Sequence, residues 1–493
     1  MRSRSARDKP VIKLLKRCLL SNPSQILHFM YCSSCCRRTL LLGAVTLLLI
    51  YIVWIFLSGD HYVSTKHEAS HYWCGYGPAM SDFVPKQRPM YETEDYPPNV
   101  SYAYRNQWVG FPDMEQVDCN QAFNSSVKNN WFPQTVPRIF PHQFKAASAN
   151  CNEFIRDFGF LRYPKVSEEE ENFPLAFIVL FYKDLDQVLF LLRAIYRPHN
   201  VYCLSVDTKS SVEFLDAVRS VSKCLPNVFV ASKLESIVYA GFSRLMADIN
   251  CMEDLLQHPI KWKYVVNLPG QQFPLRSNLE LVKIFQLYNG ANDVEGITGK
   301  RMMAMRFMWR HDYVTNNVTG DVRLVSSGIK NRPPPHGIDI VKGSAYGTFS
   351  RDFIDFVINH QIAKDFLEWC KTVLSPDEYF WATLHHSKVV NVPGGYTGVP
   401  DTKPWLSTYA SWGGGGDPCA TIRIRSVCIF SPEDLPLLIN RKEMFANKFY
   451  ITHHPAVLHC LDQLLYNVTF SGSTRDLKQY QDLPFALKTS LKL

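Results

Sequence analysis

Ser375-Pro-Asp-Glu378 opens a segment that continues Tyr-Phe-Trp-Ala-Thr-Leu, and its residue types suit two kinds of work. Ser375 as N-cap, Pro376 at the first helical position and Glu378 at the third spell a capping box. A carboxylate at a helix mouth is also stabilised in its ionised form, so Glu378 suits a general base. Neither role excludes the other. Asp207 closes Val201-Tyr-Cys-Leu-Ser-Val-Asp207, at the carboxyl end of an expected strand, where open α/β sheets bind ligands. It reads as a turn or cap residue, or as an acceptor for a nucleotide base or ribose. Arg423, Arg425, Arg441, Lys442 and Lys448 cluster around Phe445-Ala-Asn-Lys-Phe449. They are either solvated surface charge or cations able to neutralise a diphosphate without a metal.

Asp184-Leu-Asp186 has the DxD spacing by which many nucleotide-sugar enzymes hold Mn²⁺ or Mg²⁺. Its place at the start of an expected helix favours capping instead. The run Gly413 to Gly416 lacks the Lys-Ser/Thr of a phosphate loop. His385-His386 and His453-His454 lack the i,i+4 spacing of helical metal ligands, and no cysteine spacing resembles a paired CxxC zinc site. No metal is assigned.

The elements that must position these residues alternate in type. Ala176 to Phe181 reads as a buried strand, followed by a helix through Asp186 to Tyr196 with Val188, Leu191, Leu192 and Ile195 on one face. A strand at 201–206, a helix at 212–221 and a strand at 228–231 follow, then a helix at 243–257 and a strand at 264–267. Ser277 or Asn278 caps the next helix. This βαβα order implies an α/β domain with a mostly parallel sheet. No period of 20 to 50 residues suggests a repeat protein.

At 493 residues, with 46% hydrophobic and 13% aromatic residues, the chain has globular composition, not that of low-complexity disorder. The formal charge of +8 would suit a nucleic-acid binder, but its distribution argues otherwise. Nine basic residues and one acid up to Arg38 carry the whole excess, and the rest of the chain is balanced. No nucleic-acid partner is expected.

The basic tail runs into an apolar stretch from Leu40 to Leu57, whose length of roughly 27 Å as a helix matches a bilayer core. Arg37 and Arg38 precede it and Asp60 follows, so the positive-inside rule places everything beyond it in the lumen or outside. The basic region and the apolar run are both long for a cleaved signal peptide. The expected order is a cytosolic tail (1–38), a single-pass type II signal anchor (39–58), a Pro-, Tyr- and Asn-rich lumenal stem (59–141), a catalytic domain (142–470) and a C-terminal tail (471–493). Sequons at Asn99, Asn124, Asn317 and Asn467 all fall beyond the anchor. Ten of the 14 cysteines do so too, where an oxidising lumen would let them pair. Cys32, Cys35 and Cys36, just before the span, are either palmitoylation sites or reduced thiols.

Ten blocks carry a resemblance, in order, across roughly Cys119 to Cys460. They are Leu191–Tyr196, Asn200–Asp207, Asn227–Ser232, Val238–Arg244, Ala247–Met252, Asn267–Asn278, Gly343–Tyr346, Ser375–Glu378, Arg425–Phe430 and Phe445–Phe449. By these the chain resembles the core 2/I-branching β-1,6-N-acetylglucosaminyltransferases of the Golgi. The resemblance implies a GT-A-like fold that transfers GlcNAc from UDP-GlcNAc with inversion and without a metal or other cofactor. It further implies Glu378 as catalytic base, Arg425 and Lys448 as the cations on the diphosphate, and Asp207 as a nucleotide-binding acid. Glu295, Arg306 and Trp412 fall where acceptor contacts are expected, although Gly414 stands where a second aromatic belongs. The implied disulfides are Cys119–Cys460, Cys151–Cys224, Cys203–Cys251 and Cys419–Cys428, leaving Cys74 and Cys370 either paired or free. Pro269 replaces the family's usual free cysteine.

The acceptor stays open between a mucin-type core of an O-glycan and a polylactosamine chain, as does a homodimer. Two alternatives remain: a relative that uses UDP-Xyl, and a lumenal binding protein that keeps the fold without catalysis. The second is disfavoured by the intact Glu378, Arg425 and Lys448.

Overall fold

The computed structural model describes residues 111, 114, 116–124, 132, 135–163, 166–413 and 418–486. The basic tail, the anchor, Cys74, the sequon at Asn99 and the juxtamembrane cysteines lie outside the described residues. Among the described residues no helix is long and apolar enough to cross a membrane.

Twelve strands are described: β1 (Leu175–Phe181), β2 (Val201–Val206), β3 (Val228–Val230), β4 (Tyr264–Pro269), β5 (Gln272–Pro274), β6 (Trp309–Thr315), β7 (Val322–Lys330), β8 (Thr348–Ser350), β9 (Thr408–Tyr409), β10 (Arg423–Ile424), β11 (Val427–Cys428) and β12 (Phe445–Asn447). The central sheet has the order β3-β2-β1-β4-β8. Its first four strands are parallel, with Ala176 in register with Val201 and Val265, and β8 is antiparallel to β4. Seven helices matter for the site: α1 (Leu185–Ile195), α2 (Val212–Cys224), α3 (Phe242–Gln257), α4 (Asn278–Tyr288), α5 (Arg351–Asn359), α6 (Asp377–His385) and α7 (Pro455–Phe470). The strands and helices expected from periodicity up to α4 fall within three residues of these bounds. Ser277 caps α4 in a complete capping box with Glu280.

The unbroken apolar run of β1 follows from burial on both faces. Leu175, Phe177 and Val179 enter a core shared with α1, α2, α4 and α7. Ala176 and Ile178 enter a second core with α3, α5 and α6. All four implied disulfides are formed, and Cys370 is buried and free.

Two domain boundaries move. The stem expected over 59–141 gives up its last part to the domain body, because Phe111, Met114, Val117, Cys119, Ala122 and Phe132 are buried in the first core. The tail expected over 471–493 is likewise no tail as far as residue 486. Tyr480, Leu483 and Phe485 pack in the same core, and Arg475 pairs with the buried Glu280. Both segments carry apolar residues too sparse to show a period, and long-range packing decides their fate.

Candidate active site

A cleft of about 300 Å³ opens at the carboxyl ends of β1, β2 and β4, lined by Lys183, Asp207, Tyr239, Arg244, Gly270, Tyr346, Asp377, Glu378 and Arg425 among others. Glu378 lies in the first turn of α6. The capping box expected from Ser375 and Glu378 does not form. Ser375 sits in the left-handed region at φ 54°, and Pro376 holds the N-cap position without a side-chain cap. Instead the Ser375 N–H donates to Ala240 O at 2.7 Å, and Ala240 is itself left-handed. Two non-glycine residues in that region are a local strain of the kind that gathers at functional sites. Together they fix the entry into α6.

The Glu378 carboxylate is thereby free of capping duty and takes two cations on one oxygen. Arg306 Nη1 donates to Oε2 at 2.7 Å, and Lys342 Nζ stands 3.0 Å from the same atom. Oε1 carries neither contact. Arg306, expected at the acceptor, thus engages the expected base directly. The next residue after Lys342 must be glycine: the Gly343 N–H donates to Glu378 O at 2.7 Å, and a Cβ there would meet Ala382 Cβ at 2.9 Å and collide with the Glu295 carbonyl. Glu295 feels the charges of both Lys342 and Glu378. Burial raises its carboxyl, Lys342 and Arg301 oppose that, and the Glu378 charge adds to it.

Asp207 serves the turn and the cleft together. Its Oδ1 accepts from the backbone N–H groups of Lys209 (3.0 Å) and Ile237 (3.2 Å), while Oδ2 faces Lys209 Nζ at 3.7 Å.

Arg425 and Ser426 are the two central residues of the β10–β11 hairpin, both left-handed at φ 52° and 66°. That is a type I′ turn built without glycine, and the Cys419–Cys428 disulfide closes its base. The tip aims Arg425 over the Tyr239 ring, 4.6 Å from its centre. Lys448 directly follows β12, its Nζ 5.6 Å from the Tyr450 ring centre; Lys183 Nζ is 5.2 Å from the same ring. Burial, then the charges of Arg425 and Lys183, push the Lys448 ammonium down. Three cations therefore converge, one more than the sequence suggested. Two others of the basic cluster are engaged elsewhere: Arg441 pairs with Glu443, and Arg423 donates to Ser411 O at 3.1 Å.

Of the two acids expected to cap α1, Asp186 does so in part, its Oδ1 accepting from the first-turn Gln187 N–H at 2.9 Å. Asp184 occupies its N-cap position without a side-chain cap, and both carboxylates bind Arg138. The guanidinium donates to Asp184 Oδ1 at 3.0 Å, to Asp186 Oδ1 at 2.7 Å, and through Nε to Asp186 Oδ2. A fixed cation thus occupies the DxD pair.

Asp377, next to Glu378, is buried. Its Oδ2 stands 3.9 Å from Arg244 Nε, and Arg244 Nη1 donates to Asp248 Oδ2 at 2.6 Å one turn along α3. Burial raises the Asp377 carboxyl to about 6; Arg244 opposes this, and the charges of Glu378 and Asp248 reinforce it.

Trp412 is exposed and bridges to Val427. The Gly413 N–H donates to Ser426 O at 2.8 Å, so this aromatic face shares a rim with Arg425. Gly414 lies outside the described residues. Asn124, Asn317 and Asn467 are exposed, Asn317 on the turn between β6 and β7.

Lys342, Arg244, Lys183 and Arg138 were not singled out from the sequence. Arg244 lay inside a recognised block, but Lys342 and Arg138 belong to no motif.

The core-2/I-branching enzyme family model matches residues 175–438, which hold the sheet and most of this cleft. The chain belongs to that family. It is 40% identical over 362 residues to the Danio rerio β-1,3-galactosyl-O-glycosyl-glycoprotein β-1,6-N-acetylglucosaminyltransferase 4, covering 72% of this chain and 82% of the relative. The Mus musculus N-acetyllactosaminide β-1,6-N-acetylglucosaminyl-transferase is 36% identical over 331 residues, 66% of this chain and 80% of the relative. The Homo sapiens β-1,3-galactosyl-O-glycosyl-glycoprotein β-1,6-N-acetylglucosaminyltransferase is 35% identical over 345 residues, 67% and 78% respectively.

Proposed function

We propose that this core-2/I-branching enzyme is an inverting β-1,6-N-acetylglucosaminyltransferase that moves GlcNAc from UDP-GlcNAc to the 6-hydroxyl of an acceptor sugar on a glycoprotein. The acceptor is the GalNAc of a core 1 O-glycan or a galactose of polylactosamine; the relatives' names include both kinds. The observation that carries the reading is a carboxylate whose Oε2 takes two cations while its Oε1 takes no hydrogen bond from the described residues, in the same cleft as Asp207 and Arg425.

Glu378 Oε1 takes the proton of the 6-hydroxyl as that oxygen attacks the anomeric carbon. The new C1–O6 bond forms on the face opposite the breaking C1–O bond to the β-phosphate, and UDP leaves with the bonding pair. Fixed cations at the leaving group are worth most where the site excludes water. Arg425, Lys448 and Lys183 supply them, with Asp207 on the nucleotide. Turnover without a metal is supported by these cations and by Arg138, which already occupies Asp184 and Asp186. The apolar run at 39–58 and the basic residues before it favour a type II Golgi membrane protein with this domain in the lumen.

The deciding experiment is Glu378→Gln. UDP affinity should stay within a few-fold of wild type while transfer falls by ~10²-fold or more, the usual scale for losing a general base. Retained transfer would refute the assignment.

A further inference from the structure

Between the cations that hold a diphosphate and the carboxylate that activates an acceptor, the donor pyranose must lie with its anomeric carbon facing Glu378. The cleft wall there is made by Arg244, Tyr346 and Asp377. Asp377 is 8% exposed, yet among the described residues its carboxylate has no side-chain partner closer than Arg244 Nε at 3.9 Å, and accepts only from its own backbone N–H. A buried carboxylate ordinarily spends its acceptor capacity on two or more short hydrogen bonds. This one falls short of that number and lines the cleft. A structural role would be served as well by a neutral residue, since Arg244 already has Asp248 and the charges of Glu378 and Asp248 both disfavour a further carboxylate at Asp377. Arg244 is held in place by Asp248 Oδ2 at 2.6 Å, which is itself fixed by Asn267 Nδ2 at 3.0 Å. The Tyr346 ring lies 5.6 Å from the guanidinium carbon. A planar acceptor, a planar donor and an aromatic edge facing one cavity match the ring hydroxyls of a hexopyranose.

We propose that Asp377 and Arg244 form the donor-sugar subsite, in which Asp377 accepts hydrogen bonds from ring hydroxyls of the transferred sugar and so helps select it. This rests on the UDP-GlcNAc reading above.

The test uses the full chain in detergent and compares UDP with UDP-GlcNAc in Asp377→Asn. UDP carries no sugar, so its affinity should remain within about threefold of wild type. The KM for UDP-GlcNAc should rise roughly tenfold or more, the scale of a hydrogen bond to a charged group. Preference for UDP-GlcNAc over its C4 epimer UDP-GalNAc should narrow as well. Equal weakening of UDP and UDP-GlcNAc, or unchanged sugar preference, overturns the proposal. Should Asp377→Asn fail to fold, Arg244→Lys serves in its place, because it keeps the charge but loses the planar fork. It must show the same selective loss, and normal UDP-GlcNAc kinetics there would equally overturn the subsite. Wild-type protein that transfers no GlcNAc would overturn the parent reading, whereas wild-type transfer with an indifferent Asp377→Asn overturns the subsite alone.

Discussion

The crowding of carboxylates at the mouth of α6 should cost stability that Asp377→Asn recovers. The Asp377 carboxyl lies at about 6 against an ordinary 3.8, a rise of about two pKa units, or roughly 3 kcal/mol at 1.36 kcal/mol per unit. Burial is the main cause, and Glu378 and Asp248 add to it. Because the pKa is raised on folding, the folded protein holds this proton more tightly than the unfolded chain. The contribution is therefore fully present below about pH 4 and is lost as the pH climbs through 6. Asparagine has no proton to release, so the variant escapes that loss. Arg244 forfeits a distant counter-charge but keeps Asp248, which lowers the expected net gain to about 1–2 kcal/mol at pH 7.5. For a chain of this size that is a rise of a few degrees in Tm. Thermal melts of both proteins should converge near pH 4 and separate progressively up to pH 7.5, with the variant the more stable. Titrations of groups remote from Asp377 are common to both and cancel in the difference, while Glu378 and Asp248, which are coupled to Asp377, are relieved along with it. A gap that does not change with pH, or a variant that is the less stable at pH 7.5, would refute the electrostatic account of this cluster.

Three further outcomes are expected. Arg425→Ala and Lys448→Ala should each weaken UDP inhibition roughly 10- to 100-fold, the range for a lost charge-assisted hydrogen bond, while Arg441→Ala, paired with Glu443, should leave it near wild type in the same titration. Replacing Cys119 and Cys460 by Ser opens a loop with a sequence separation of 341 residues and should cost about 3–5 kcal/mol, read as a lower midpoint in a denaturant titration. Wild-type turnover should persist in excess EDTA; Arg138→Gln, which strands the buried Asp186, should lower stability by about 3 kcal/mol, whereas strict Mn²⁺ dependence of the wild type would contradict the role given to Arg138.

The sequence disclosed what local rules govern. Short continuous apolar runs found β1, β2 and β4, and α4 was announced by a cap at Ser277 or Asn278, of which Ser277 takes the role in a complete capping box with Glu280. The same rule misled at Ser375, where the identical signature is overridden by a left-handed backbone tied to Ala240. Nothing in the local pattern reports a tertiary hydrogen bond to a residue 135 positions away. Glu378, Arg425 and Lys448 were legible only because they sit in recognised blocks; Lys342 and Arg138 act across long separations and sit in none. The antiparallel strand β8 and the small sheet of β5, β9 and β12 were missed because strands of two or three residues are too short to show a period. Likewise, Tyr480 and Phe485 are isolated aromatics whose burial depends wholly on packing against the first core.

Charge in this site comes in compensated sets, and the exceptions locate the substrate. Glu378 is matched by Arg306 and Lys342, Arg138 by Asp184 and Asp186, and Arg244 by Asp248 and Asp377. Lys183 is shared with Asp184, which already answers Arg138. Among the described residues Arg425 and Lys448 have no acidic partner within ion-pair distance; they are held by a hairpin tip and a strand end, each against an aromatic ring. Keeping cations together and unpaired is unfavourable: burial chiefly, and then the charges of Arg425 and Lys183, push the Lys448 ammonium down. On the proposed reading, a diphosphate that is already dianionic in the donor relieves that repulsion as it binds, and the further negative charge on the leaving UDP gains most, so the uncompensated pair would favour the departing diphosphate over the intact donor. A chain whose charge is balanced beyond its basic tail can hold such a site without any trace in its net charge, because two converging cations are a small part of its charged residues.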